Sequence, residues 1–131
     1  MNYVLDASAL MAYFEEQHRY ELVSEALSKA SQSDKPVLMT TVNWGEVYYL
    51  ALRKPNQNAA ALVASAVLQL PIQLVAPDIA LTQLAGEIKH AHHLAYMDAF
   101  AAALAKQNKA TLITADHDFR TVQEEINILW L

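Results

Sequence analysis

A mainly parallel, five-stranded α/β fold is what this 131-residue sequence predicts. Short apolar runs of buried-strand length alternate with longer stretches in which apolar residues recur at helical spacing, the pattern of strands joined by crossover helices. An acid also stands where several such runs give way to a helix: Asp6, Glu46, Asp98 and Asp116. In an open parallel sheet the strand C-terminal ends share one edge, so acids far apart in sequence can converge on one crevice. A hydrophobic content of 54% suffices for one buried core, and a single domain over residues 1–131 is expected.

Tyr3-Val4-Leu5 is a β-prone start that runs into Asp6-Ala7-Ser8-Ala9-Leu10, where apolar residues continue at helical spacing to Phe14. A second amphipathic helix is predicted from Arg19 to Ala30, ended by the polar stretch Ser31 to Pro36. Val37-Leu38-Met39 is the second strand. Asn43 then opens a helix through Glu46 to Arg53, which must stop near Lys54 because Pro55 follows. An alanine-rich helix from Asn58 to Leu70 ends at Pro71, before the strand Ile72 to Val75. Asp78 caps a helix reaching His90, and another runs from Asp98 to Lys106. Thr111 to Thr114 is a strand, Phe119 to Val122 a short helix, and Ile126 to Trp130 the last strand. Strands alternating with helices imply right-handed crossovers and a sheet covered on both faces. No internal repeat or low-complexity tract interrupts the pattern.

Cysteine is absent, which excludes disulfides and thiolate metal sites and makes the cytoplasm the default location. No apolar run is long enough to span a bilayer, so no membrane partner is expected. The formal net charge of −5 argues against non-specific nucleic-acid affinity, which rests on surplus Lys and Arg. It does not exclude a nucleic-acid substrate, because cations bound at an acidic site invert the local field.

Each acid, taken singly, is accounted for by capping. Asn43 and Glu46 have capping-box spacing, Asp6 and Asp98 precede or open helices, and Asp116 or Asp118 can cap the short helix at Phe119. Capping does not, however, require acids to recur after strands that lie side by side. No Lys or Arg stands at i±3 or i±4 of Glu46 or Asp98, so local ion pairs do not explain them. Converging carboxylates repel unless a cation joins them, and oxygen donors select a hard one, Mg²⁺ or Mn²⁺. Such sites commonly serve phosphoryl transfer.

Four blocks, Asp6-Ala7-Ser8-Ala9-Leu10, Asn43-Trp44-Gly45-Glu46-Val47, Tyr96-Met97-Asp98-Ala99-Phe100 and Thr114-Ala115-Asp116-His117-Asp118-Phe119, resemble PIN domains in order and spacing across the chain. The resemblance is to the VapC-type ribonuclease toxins of type II toxin–antitoxin modules. It implies a three-layer α/β/α fold and a Mg²⁺- or Mn²⁺-dependent endoribonuclease in which Asp6, Glu46, Asp98 and Asp116 are the catalytic, metal-binding acids. It further implies that Ser8 and Thr114 supply hydroxyls orienting Asp6 and Asp116, with Asp118 an outer member. An RNA substrate cut to a 3′-hydroxyl and a 5′-phosphate, a cognate antitoxin and a homodimer are implied too. Both hydroxyls have an equal reading as caps or strand-end hydrogen bonders.

Arg53, Lys54 and Lys89 are candidates for touching RNA phosphate, as are Arg19, Lys35 and Arg120. For Arg53 and Lys54 the helix dipole alone is a sufficient reason to be where they are. His90, His92 and His93 form a dense group, read as a solvated helix end rather than a transition-metal site. Trp44, Tyr48 and Leu52, with the apolar side of the Arg19–Ala30 helix, suggest an exposed groove suited to a partner. Two alternatives to a nuclease stand. One is a non-catalytic PIN-like interaction module, against which the four intact acids count. The other is a metal-dependent phosphatase-like hydrolase with Asp6 as nucleophile, which Ala7-Ser8-Ala9 equips poorly.

Overall fold

The structure, a computed structural model, describes residues 2–131. Five strands, β1 (Tyr3–Leu5), β2 (Val37–Thr40), β3 (Ile72–Val75), β4 (Thr111–Thr114) and β5 (Asn127–Trp130), form one sheet in the order β3-β2-β1-β4-β5. Every pairing is parallel. The order reverses between β1 and β4, which run in register as Tyr3 with Thr111, Val4 with Leu112 and Leu5 with Ile113. A crevice opens beyond the C-terminal ends of two strands related in this way. The next residues along are Asp6 on one strand and Thr114 on the other.

Successive strand residues point to opposite faces, and both faces are covered. Val4 and Leu112 belong to one core, built with α5 (Ile79–His92) and α6 (Tyr96–Asn108). Leu5, Val37, Met39 and Ile113 belong to the other, built with α1 (Ala7–Phe14), α2 (Glu21–Gln32), α3 (Thr41–Leu52) and α4 (Ala59–Gln69). Ala99, Ala101, Ala102, Ala103 and Ala105 of α6 are wholly buried. Side chains this small let the helix lie close to its neighbours, and they carry Asp98 at its start into a partly buried position.

The element boundaries differ from the sequence reading in three informative places. Arg19 adopts a left-handed backbone (φ 59°), so α2 starts only at Glu21 and runs on to Gln32. The third helix begins at Thr41, with Thr40 as its cap. Asn43 therefore lies inside the helix and is not its cap, and the capping-box account of Glu46 falls away. Asp98 is not a cap either: Ala95 holds that position, and Asp98 lies in the first turn of α6.

Candidate metal centre

Three of the acids owe their positions to adjoining strands and the turns that leave them. Asp6 ends β1 and caps α1, its Oδ1 accepting the Ala9 N–H at 2.9 Å. Asp116 follows β4 and caps the short 3₁₀ helix η1 (His117–Val122) by accepting the Asp118 N–H at 2.9 Å. Phe119, wholly buried, anchors that helix in the core and so fixes the two acids on either side of His117. For Asp116, capping and clustering are thus one arrangement rather than rival accounts, because the cap uses one carboxylate oxygen and leaves the other.

Asp6 is 2% exposed and has both oxygens engaged. Thr114 donates its hydroxyl to Asp6 Oδ2 at 2.6 Å, and Ser8 donates to the same carboxylate at 2.8 Å. Ser8 in turn accepts the Ala115 N–H and Thr114 accepts the Asp116 N–H, each at 2.9 Å. Both hydroxyls therefore hold the Asp6 side chain, and Thr114 steadies Asp116 through its main chain rather than through its carboxylate.

Asp98, Asp116 and Asp118 each present a carboxylate oxygen within 4.8 Å of the others. Asp118 thus stands inside the tightest group instead of at its periphery. Glu46 and Asp6 lie close enough for their charges to be felt. Burial first, then the charges of Asp116, Asp6, Glu46 and Asp118, push the Asp98 carboxyl up to about 7. Burial raises Asp6 to about 6 against the opposing hydrogen bonds of Thr114, Ala9 and Ser8. Glu46 is raised by burial and then by Asp116. Among the described residues no Lys, Arg or His forms an ion pair with any of these five acids.

The basic candidates are engaged elsewhere. Lys54 pairs with Glu15, Arg53 lies over the Tyr49 ring at 5.8 Å from its centroid, and Lys89 donates to the Leu94 carbonyl at 2.9 Å. Arg120 meets His117 Nδ1 at 3.1 Å and pairs with none of the acids. The histidines form no metal-ligating group among the described residues: His92 faces Glu125 at 3.2 Å, and His93 ends α5 in a left-handed conformation (φ 58°). The apolar side of α2 packs into the core through Val23, Ala26, Leu27 and Ala30, and Ala26 and Ala30 also line a pocket with Tyr3, Lys35 and Pro36. A separate groove, walled by Met11, Phe14, Ala51, Pro55 and Leu62, opens between the ends of α1, α3 and α4.

Two buried polar residues, Thr40 and Asn43, are not among the site candidates in the sequence, where Asn43 reads only as a helix cap. Thr40 accepts the Asn43 N–H at 3.0 Å and donates to the Asn43 side-chain oxygen. The Asn43 amide donates to the Met97 carbonyl at 3.0 Å. A β-branched Thr-Thr-Val run reads as strand, which hid the helix start and with it the reason for an asparagine.

The profile of the PIN domain family matches residues 3–125. No curated protein matches the chain in sequence. Among solved structures, a chain of VapBC2 from Rickettsia felis bound to a DNA fragment from its promoter is similar over 100% of this chain and 99% of its own, at 15% identity and a TM-score of 0.78. VapBC-1 from nontypeable Haemophilus influenzae is similar over 99% and 98%, at 16% identity and 0.75. VapC20 from Mycobacterium tuberculosis, described as a Sarcin-Ricin loop cleaving toxin, is similar over 92% and 94%, at 19% identity and 0.68. At these identities the likeness is one of fold.

Proposed function

Because the chain belongs to the PIN domain family, we propose that it is a divalent-metal-dependent endoribonuclease, the toxin of a toxin–antitoxin pair. One observation carries this reading: carboxylates from four separate segments gather at the sheet edge, and none of them has an ion-pair partner among the described residues. The donor set is all oxygen, which fits Mg²⁺ or Mn²⁺ and disfavours softer ions. Such a cation, when bound, lowers the pKa of water and neutralises charge gathered on a phosphodiester as it is cleaved.

The chain's own residues do the rest. Asp98, Asp116 and Asp118 are the innermost ligands in this reading, with Asp6 and Glu46 completing the acidic ring. Ser8 and Thr114 keep the buried Asp6 from turning away. Asp98 sits in the first turn of α6, where the helix dipole favours negative charge, and releases its proton as the cation arrives. Asp6 as a covalent nucleophile is unattractive, since its oxygens are buried and hydrogen-bonded.

RNA as substrate and an antitoxin as partner rest on the family together with the Sarcin-Ricin loop cleavage described for VapC20 and the VapBC assemblies of other structural neighbours. Tyr49, Leu52 and Leu62, all more than half exposed, supply apolar surface for the antitoxin or for a second copy of the chain. The test is cleavage of structured RNA with Mg²⁺ or Mn²⁺. Asp98→Asn, nearly constant in shape, is expected to remain folded and to lose at least about a hundredfold in rate. Undiminished cleavage by that variant removes Asp98 from the site. Cleavage by the native chain in excess chelator overturns the metal mechanism.

A further inference from the structure

The start of α3 and the start of α6 belong to segments far apart in the chain, and each carries one of the acids that meet at the sheet edge. Asp98 directly follows Met97, and Glu46 lies one helical turn beyond Asn43 on the same side of α3. The hydrogen bond from the Asn43 amide to the Met97 carbonyl joins the two segments, and no other side-chain hydrogen bond links α3 to α6 among the described residues. Asn43 is wholly buried, and its amide oxygen is occupied by the Thr40 hydroxyl. A buried amide has no water to turn to, so the bond to Met97 is costly to break and its geometry is tightly set. The charges of Glu46 and Asp98 repel across the same gap that this bond spans.

On the reading that Glu46 and Asp98 serve a divalent cation, we infer that Asn43 is a positioning residue, a buried clamp that fixes the separation of these two acids and thereby sets the cation affinity of the site. It touches neither cation nor substrate. Its effect runs through the backbone of Met97 on one side and the first turn of α3 on the other. Groups that orient ligands in this indirect way are worth roughly 10- to 100-fold in metal affinity.

The experiment is calorimetric titration of the folded protein with Mn²⁺, without RNA. Native chain, Asn43→Ala and Asp78→Ala are compared; the last removes the cap of α5, where Asp78 accepts the Leu81 N–H at 2.8 Å, remote in the chain from every acid of the site. Asn43→Ala is expected to bind Mn²⁺ about 10- to 100-fold more weakly, and Asp78→Ala to bind as the native chain does even if its melting temperature falls as far. If Asn43→Ala does not fold, Asn43→Ser takes its place, keeping a hydroxyl beside Thr40 and stopping short of Met97. Native affinity in the folded Asn43 variant overturns the clamp and leaves the metal site standing. Equal weakening by Asp78→Ala overturns it too, since loss of stability alone would then suffice. If the native chain binds no Mn²⁺, the metal reading fails and the clamp with it.

Discussion

Glu125 and Asp98 are both carboxylates on one small α/β protein, and they are treated in opposite ways. Glu125 lies 3.2 Å from the His92 imidazole and 3.6 Å from the Lys106 ammonium, and Glu15 pairs with Lys54. Asp98 is half-buried, lies beside Asp116 and Asp118, and has no basic partner among the described residues. At Glu15 and Glu125, on the open surface, the fold offers a cation and solvent. At the C-terminal edge of the sheet it gathers them and leaves their repulsion in place. Burial and like charge together oppose ionisation there, so the cluster is a locus of stored destabilisation, which the proposed cation would relieve.

The largest effect that could break this contrast is the response to metal. A cation that binds only the folded, deprotonated cluster stabilises the protein by about 2.7 kcal/mol at a hundred times its dissociation constant. Melting of the native chain in chelator and in excess Mn²⁺ is expected to show that gain, and Asp98→Asn most of its absence. A native chain whose melting temperature ignores Mn²⁺ would mean that the clustered acids differ from Glu125 only in lacking neighbours.

Next in size is the pH dependence of the metal-free protein. Asp98 is raised to about 7 and Asp6 to about 6, both from 3.8. The folded state therefore holds protons that the unfolded chain has released. Stability from these groups is fully present below the unfolded value of roughly 4 and is lost as pH rises through the folded values, so the fall spans about pH 4 to 7. The part belonging to Asp98 is on the order of 1–2 kcal/mol once solvent screening of a half-buried group is allowed for. Asp98→Asn should flatten the upper part of that fall. In chelator at pH 7.5 it is expected to melt above the native chain, and near pH 4 with it. A variant less stable than the native chain at both pH values would reduce Asp98 to an ordinary first-turn acid.

Much of this edge was legible because a strand that ends in an acid and turns into a helix leaves a local signature. Asp6 after Tyr3-Val4-Leu5 and Asp116 after Thr111 to Thr114 could be placed side by side once the sheet was taken as parallel, and the all-parallel order β3-β2-β1-β4-β5 puts them next to each other. What stayed hidden depends on contacts between distant segments. Asn43 looked like a cap because the helix start at Thr41 is written in β-branched residues, and its bond to Met97 crosses 54 positions. Asp98 looked like a cap because nothing in His92-His93-Leu94-Ala95 announces a helix, and Ala95 offers no side-chain oxygen. Asp118 looked peripheral because the turn that swings it beside Asp98 is set by the burial of Phe119, a core contact with no local trace.

The smallest effect sharpens the contrast through its sign. Glu125→Gln makes at the paired position the same change of carboxylate to amide that Asp98→Asn makes at the unpaired one. It removes attractions to His92 and Lys106 between side chains that are 22% to 42% exposed. Pairs so open to water are worth about 0.2–1 kcal/mol and fade as salt screens them. Glu125→Gln should therefore lower the melting temperature slightly in dilute buffer, and the difference should shrink in 1 M salt, where the Debye length is about 3 Å. In chelator at pH 7.5, Asp98→Asn moves the other way, because it removes a repulsion and a desolvation penalty. Measured side by side, the two variants isolate what the environment does to one chemical change. Shifts of the same sign would show that the acids at the sheet edge are held no differently from those on the surface, and would take away the electrostatic ground for a metal centre there.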